Sequence, residues 1–186
     1  MNEEFEKKLM ISVRGQLLIN WVNSLKDLCE TPFEDFKRFH RKIFVILVME
    51  LLEDGNDYCI KQIQSYTKKN NKTLIEFFSN IHNSIKTLKD DIPEDEYIYL
   101  SHLRNNAAHI FPVAYDFVDI DGNAKTYQKI RVKTKNGLKE FTLIEITNIL
   151  EEVALRYGVD DRIFLKIIYM KVVKNMVNAF ETTKNY

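Results

Sequence analysis

Glycine and proline are scarce in this chain, at five and three residues among 186. None of the glycines cluster, so the chain has no glycine-rich loop to cradle a nucleotide phosphate. Cysteine is scarcer still. Cys29 and Cys59 lack metal-ligand spacing and neither has a base beside it, which leaves a pair of reduced thiols as their reading. Charge of one sign is also missing. Lys plus Arg and Asp plus Glu each number 27, so bulk electrostatics does not drive the chain toward nucleic acid, and any such contact must be local. No paired-carboxylate or metal-ligand pattern is present, and neither a metal nor a cofactor is expected. No secretory signal, lipidation motif or transmembrane-length apolar run is present, so a cytoplasmic location without membrane contact is expected. Repeats and low-complexity tracts are absent as well.

What is present suits one mainly α domain over residues 1–186, with 45% hydrophobic and 29% charged residues. Phe5, Leu9, Val13, Leu17, Trp21, Leu25 and Leu28 recur at helical spacing, which predicts an amphipathic helix over 2–29. Thr31-Pro32-Phe33-Glu34 reads as a capping box opening a buried helix to about Glu53, which Gly55-Asn56-Asp57 should break. Helices are predicted over about 57–68, 73–89 and 94–110. Asp121-Gly122 and Asn136-Gly137 then mark tight turns of a three-stranded antiparallel meander over roughly 115–142. Thr142 with Glu145 caps a helix to about Arg156, which Gly158 ends. Asp160 starts the last helix, with Ile163, Ile167, Met170, Val173, Val177 and Phe180 as its apolar stripe. The expected architecture is a helical bundle with a small β insertion.

The chemically richest stretch lies at the end of the helix before that insertion: Arg104-Asn105-Asn106-Ala107-Ala108-His109. Arg104 offers paired donors to a phosphate. His109 exchanges protons near neutral pH and sits where a helix dipole favours its cation. Asn105 precedes it by four residues, on the same helical face. Arg104 is roughly 140° around the helix from His109, but its side chain is long enough to converge on a shared phosphate. Such a set suits phosphodiester cleavage in RNA without a metal. His102 and Asn106 lie near this face as possible supporting residues. His102 is two turns from His109, roughly 10 Å, too far for both to hold one ion. His40 and His82 stand alone in helices and are expected to be structural.

An Arg, a polar residue, three further residues and a His, late in a helix of an all-helical domain, resembles the signature of the HEPN superfamily. Arg104, Asn105 and His109 match its Arg, polar and His positions. The resemblance covers most of the chain as a helical bundle but rests on one short motif. It implies an endoribonuclease in a toxin, antiviral-defence or RNA-processing role, acting as a homodimer in which two motifs face each other. An antitoxin or other regulatory protein is an implied partner.

Within the meander, alternation places Lys125, Tyr127, Lys129, Arg131, Lys133 and Lys135 on one face of the middle strand. A basic face with an aromatic side chain suits an RNA backbone and one stacked base. It suits equally a solvated face whose lysines prevent edge pairing. The expected function is thus a metal-independent endoribonuclease. A non-catalytic RNA-binding or protein-interaction module on the same bundle is the alternative, and a structural helical protein is a third.

Overall fold

The computed structural model describes Ser24, Asp27 and residues 30–108, 129–158 and 160–183, the side chains of Asn106, Ala108 and residues 177–183 excepted. The helix expected over 2–29 lies outside this set, apart from helical Ser24 and Asp27. So does the first strand of the expected meander.

After a 3₁₀ turn at Phe33–Asp35, the order is α1 (Arg38–Glu50), a π-helical segment (Leu51–Gly55), α2 (Asn56–Lys68), α3 (Lys72–Asp91), α4 (Glu94–Ala108), β1 (Lys129–Thr134), β2 (Gly137–Thr142), α5 (Leu143–Tyr157) and α6 (Arg162–Thr183). This is a mainly α fold with one small antiparallel hairpin, as composition and patterning lead one to expect. Phe44 of α1, Leu51 and Leu52 of the π segment, Phe77 and Phe78 of α3, Tyr97 of α4 and Phe164 of α6 are fully buried in one core. A smaller core joins the hairpin to the bundle, with Val132 packed among Ile98 of α4 and Leu143 and Ile146 of α5.

Three local expectations need correcting. Thr31 does not open α1; its hydroxyl donates to the Asp27 carbonyl at 2.8 Å and so closes the preceding turn. Helix α1 starts at Arg38, because Phe36 and Lys37 are extended. Gly55 does not break the chain. It stays helical (φ −62°, ψ −41°), and a wide π turn carries α1 directly into α2. Burial of Leu51 and Leu52 offsets glycine's poor helical propensity there.

The apolar stripe of α6 is also rotated from expectation. Phe164, Leu165, Ile168, Val172 and Met176 face the core, while Ile163 and Met170 are 57% and 61% exposed. Both stripes have helical spacing, and only the position of α3 and the other neighbours selects between them. In the hairpin, Thr134 pairs with Gly137, so the two-residue turn is Lys135-Asn136. Gly137, at φ +111°, is the residue that needs freedom from a side chain.

Asn71 caps α3 by accepting the Leu74 N–H, so that helix begins at Lys72 rather than at the expected residue 73. Other signals hold without change. Thr142 and Glu145 form a reciprocal capping box at α5, and Gly158 (φ +87°) ends that helix. Asp160 accepts the Arg162 N–H at the start of α6. Among the described residues, no helix is long and apolar enough to cross a membrane.

Candidate functional site

Helix α4 carries the site, and its first turn is firmly anchored. Glu94, Asp95 and Glu96 place negative charge at the helix N-terminus, where the macrodipole favours it. Glu96 is 3% exposed yet fully partnered. It accepts from Tyr157 Oη and faces Arg156 Nη1 at 3.5 Å and Lys171 Nζ at 3.3 Å. Arg156 also reaches Asp95 at 2.7 Å. These pairs, drawn from α5 and α6, set the rotation of α4 and therefore where its later side chains project. They also engage Asp95 and Glu96, two of the carboxylates on the helix that carries Arg104.

Arg104 consequently makes no ion pair within 4.0 Å among the described residues. Its Nη1 donates to Asn105 Oδ1 at 3.3 Å, so the amide steadies the guanidinium. A half-buried cation whose one polar partner among the described residues is an amide is suited to receive an anion.

Arg104 and Asn105 line a cleft of about 220 Å³ with Ser101 and His102 of the same helix. Arg131, Lys133 and Leu138 of the hairpin form one wall, and Met49 and Glu53 form another. Ile98, Val132 and Ile146 complete it. The motif helix and part of the basic strand face, which are read independently in the sequence, therefore share one cavity. Glu53, Ser101 and Met49 carry no sequence signal for this site. Some fifty residues separate Glu53 from the motif, and only the packing of α1 and its π extension against α4 joins them.

The basic strand face is less uniform than alternation implies. Lys129, Arg131 and Lys133 are exposed, as expected. However, Glu140 lies opposite Arg131 in the hairpin register and approaches Arg131 at 3.4 Å and Lys129 at 3.9 Å. Lys133 keeps its charge without a carboxylate among the described residues. Lys135 departs from that face. Its ammonium donates to the carbonyls of Asp90 (3.3 Å) and Ile92 (2.7 Å), capping the end of α3. The reason is the turn, which swings Lys135 out of the strand alternation. Lys125, Tyr127 and His109 lie outside the described residues, as does the Asn106 side chain.

Burial lowers the pKa of His102 below its ordinary value, so near neutral pH it lines the cleft as an uncharged imidazole. Protonation is disfavoured in the folded chain, so the unfolded chain binds more protons in this range and stability rises with pH. Acidification below about 6.5 should thus destabilise the wild type more than His102→Gln. Urea unfolding of both at pH 7.5 and pH 5 measures this, and equal losses would refute it.

Cys59 is buried in the core, which pushes its thiol up to about 12 and leaves it unreactive. Among the described residues, no three His, Cys, Asp or Glu side chains are grouped to hold a metal ion. A second basic cleft holds Arg38, Arg41 and Lys42 against Leu103 and Ala107 of α4. Arg41 is committed there to Asp160 and Asp161, at 3.5 and 3.1 Å, which offsets much of its charge.

No family model, curated protein or solved structure matches this chain.

Proposed function

We propose that this chain is a metal-independent endoribonuclease of the HEPN type. One observation supports it above others: Arg104, without a carboxylate partner among the described residues and braced by Asn105, shares a cleft with Arg131 and Lys133. Three cations at one cavity suit a phosphodiester strand. His109, five residues after Arg104 in the sequence, is the group for proton transfer.

In the proposed reaction the ribose 2′-hydroxyl attacks the adjacent phosphorus, and the bond to the 5′-oxygen breaks. Arg104 stabilises charge on the pentavalent phosphorane. The products are a 2′,3′-cyclic phosphate and a 5′-hydroxyl. The attacking oxygen loses a proton and the leaving oxygen gains one, so the step needs a base and an acid. A two-fold homodimer that apposes two motifs supplies two copies of His109 for these tasks. Toxin, antiviral-defence and RNA-processing roles all fit this activity, and a toxin role brings an antitoxin partner with it.

The direct test is cleavage of varied single-stranded RNAs by the purified protein in EDTA. Cyclic phosphate ends and resistance of DNA, which lacks the nucleophile, are expected. RNA binding without any cleavage would instead indicate a non-catalytic RNA-binding module, a reading that the cations favour whatever His109 does.

The hairpin yields a separate expectation. Changing Lys129, Arg131 and Lys133 together to Gln should weaken RNA binding and flatten its salt dependence, by roughly 0.7 in log–log slope per lost single-strand phosphate contact. Lys133→Gln should have the largest single effect, because Glu140 already neutralises much of the charge on its neighbours. Fluorescence anisotropy across a salt series measures both quantities. Unchanged affinity and slope would assign this face to solubility and edge protection.

A further inference from the structure

Glu53 is the one carboxylate lining the motif cleft among the described residues, and its chemistry is opposite to that of the cations around it. It belongs to the π-helical segment, a rare backbone form that recurs at functional sites. Its Oε1 accepts from the Tyr97 hydroxyl at 3.4 Å, and Tyr97 is itself fully buried. The carboxylate is therefore held from below. Arg104 lies in the same cleft but not within 4.0 Å of it, so the two form no direct ion pair.

The rest of the lining narrows the ligand. Met49, Ile98, Val132 and Ile146 supply apolar walls suited to the faces of a flat ring. Arg104, Arg131 and Lys133 repel a cationic ligand and favour one carrying phosphate. A volume of about 220 Å³ accommodates one base of a phosphodiester strand. A carboxylate at such a slot only accepts hydrogen bonds, so it selects a ring edge with two adjacent donors.

Among the four RNA bases, guanine alone presents two adjacent donors, N1–H and the 2-amino group, on its Watson–Crick edge. Adenine and cytosine set a ring-nitrogen acceptor beside their amino group, and the single N–H of uracil lies between two carbonyls. A carboxylate repels each of those acceptors. We infer that this cleft is a guanine-reading subsite, with Glu53 accepting from the base edge and the cations holding the attached phosphate. The inference rests on the nucleic-acid reading of the cleft given above and adds a sequence preference to it.

Mononucleotide binding tests it without any cleavage. Isothermal titration of the wild-type protein with GMP, AMP, CMP and UMP should show GMP bound about 10- to 100-fold more tightly than the others, the usual discrimination of a two-bond base contact. Glu53→Gln replaces one acceptor oxygen by a donor. It should lose the preference for GMP and shift toward AMP and CMP, whose amino group and neighbouring ring nitrogen match an amide. Tyr97→Phe, which keeps the buried ring and removes only the hydroxyl, should reduce the preference part of the way.

Equal affinities for the four nucleotides, or no binding at millimolar concentration, would overturn the inference. So would GMP preference that persists in Glu53→Gln. An unfolded Glu53→Gln protein leaves the wild-type comparison and Tyr97→Phe to decide. Loss of ribonuclease activity is a different failure, because guanine selection is measured here on uncleavable ligands. Conversely, RNA cleavage with no preference among bases would remove the inference and leave the enzyme.

Discussion

Arg104→Ala should lower RNA cleavage by about 10²–10³, the loss typical of a donor aimed at transition-state charge. His109→Ala should lower it by about 10²–10⁴, as for a removed acid–base group. The folded protein should tolerate Arg104→Ala well, because among the described residues the guanidinium has only the Asn105 amide as a polar partner. A melting temperature close to that of the wild type, with cleavage lost, is thus the expected pair of results. Cleavage that survives in both variants would remove the enzyme reading. Asn105→Ala should have a smaller effect than Arg104→Ala, because Asn105 acts on the guanidinium rather than on the phosphate.

Assembly enters the same experiment. Mixing Arg104→Ala with His109→Ala protein should restore part of the activity if a working site draws intact halves from two chains. Light scattering at tens of micromolar should then show a dimer. A monomer that cleaves, with no recovery on mixing, would leave the chemistry in place and remove the composite site.

Phe164→Ala should be the most damaging of the structural substitutions. Phe164 is 1% exposed and meets Tyr99 edge-on at 5.0 Å and Tyr157 at 5.5 Å. Truncating a buried Phe costs about 3–5 kcal/mol through lost transfer energy and the cavity left behind. Aromatic geometry adds to that cost. For a domain of this length, about 2–4 °C per kcal/mol converts it into a fall in melting temperature of roughly 6–20 °C. Tyr157 also donates to buried Glu96, so the cavity should loosen the anchor of α4 as well. Ile163→Ala, one residue earlier on an exposed face, should change the melting temperature little. Similar losses for the two substitutions would show that the core face of α6 has been misplaced.

That contrast on α6 marks the limit of what periodicity conveys. Ile163 and Met170 fit a helical stripe as well as Phe164, Ile168 and Val172 do, and both sets are apolar. A helix reports its period in the sequence, but the direction of its buried face depends on its neighbours. The same reasoning covers Gly55. Local chemistry favours a break there, and the burial of Leu51 and Leu52 holds the chain helical through a π turn.

Signals confined to a few neighbouring residues were legible from sequence alone. The Thr142–Glu145 capping box, the stop at Gly158, the Asp160 cap and the outward alternation of Lys129, Arg131 and Lys133 depend on side chains reaching one to four residues along the backbone. The mainly α class and the hairpin followed from patterns of that kind. So did the choice of Arg104 and Asn105 as a pair on one helix.

Tertiary structure alone decided what surrounds that pair. Arg156 and Lys171 engage Asp95 and Glu96, and Arg104 has no carboxylate partner among the described residues. Lys135 is diverted to the end of α3, and Glu140 neutralises part of the strand that alternation presents as wholly basic. Glu53 joins Arg104 and Arg131 in one cleft from three separate regions of the chain. A sequence specifies which groups a chain owns and how each segment prefers to coil. Which groups meet, and which charges stay uncompensated, depends on packing between segments distant along the chain, and local spacing does not record it.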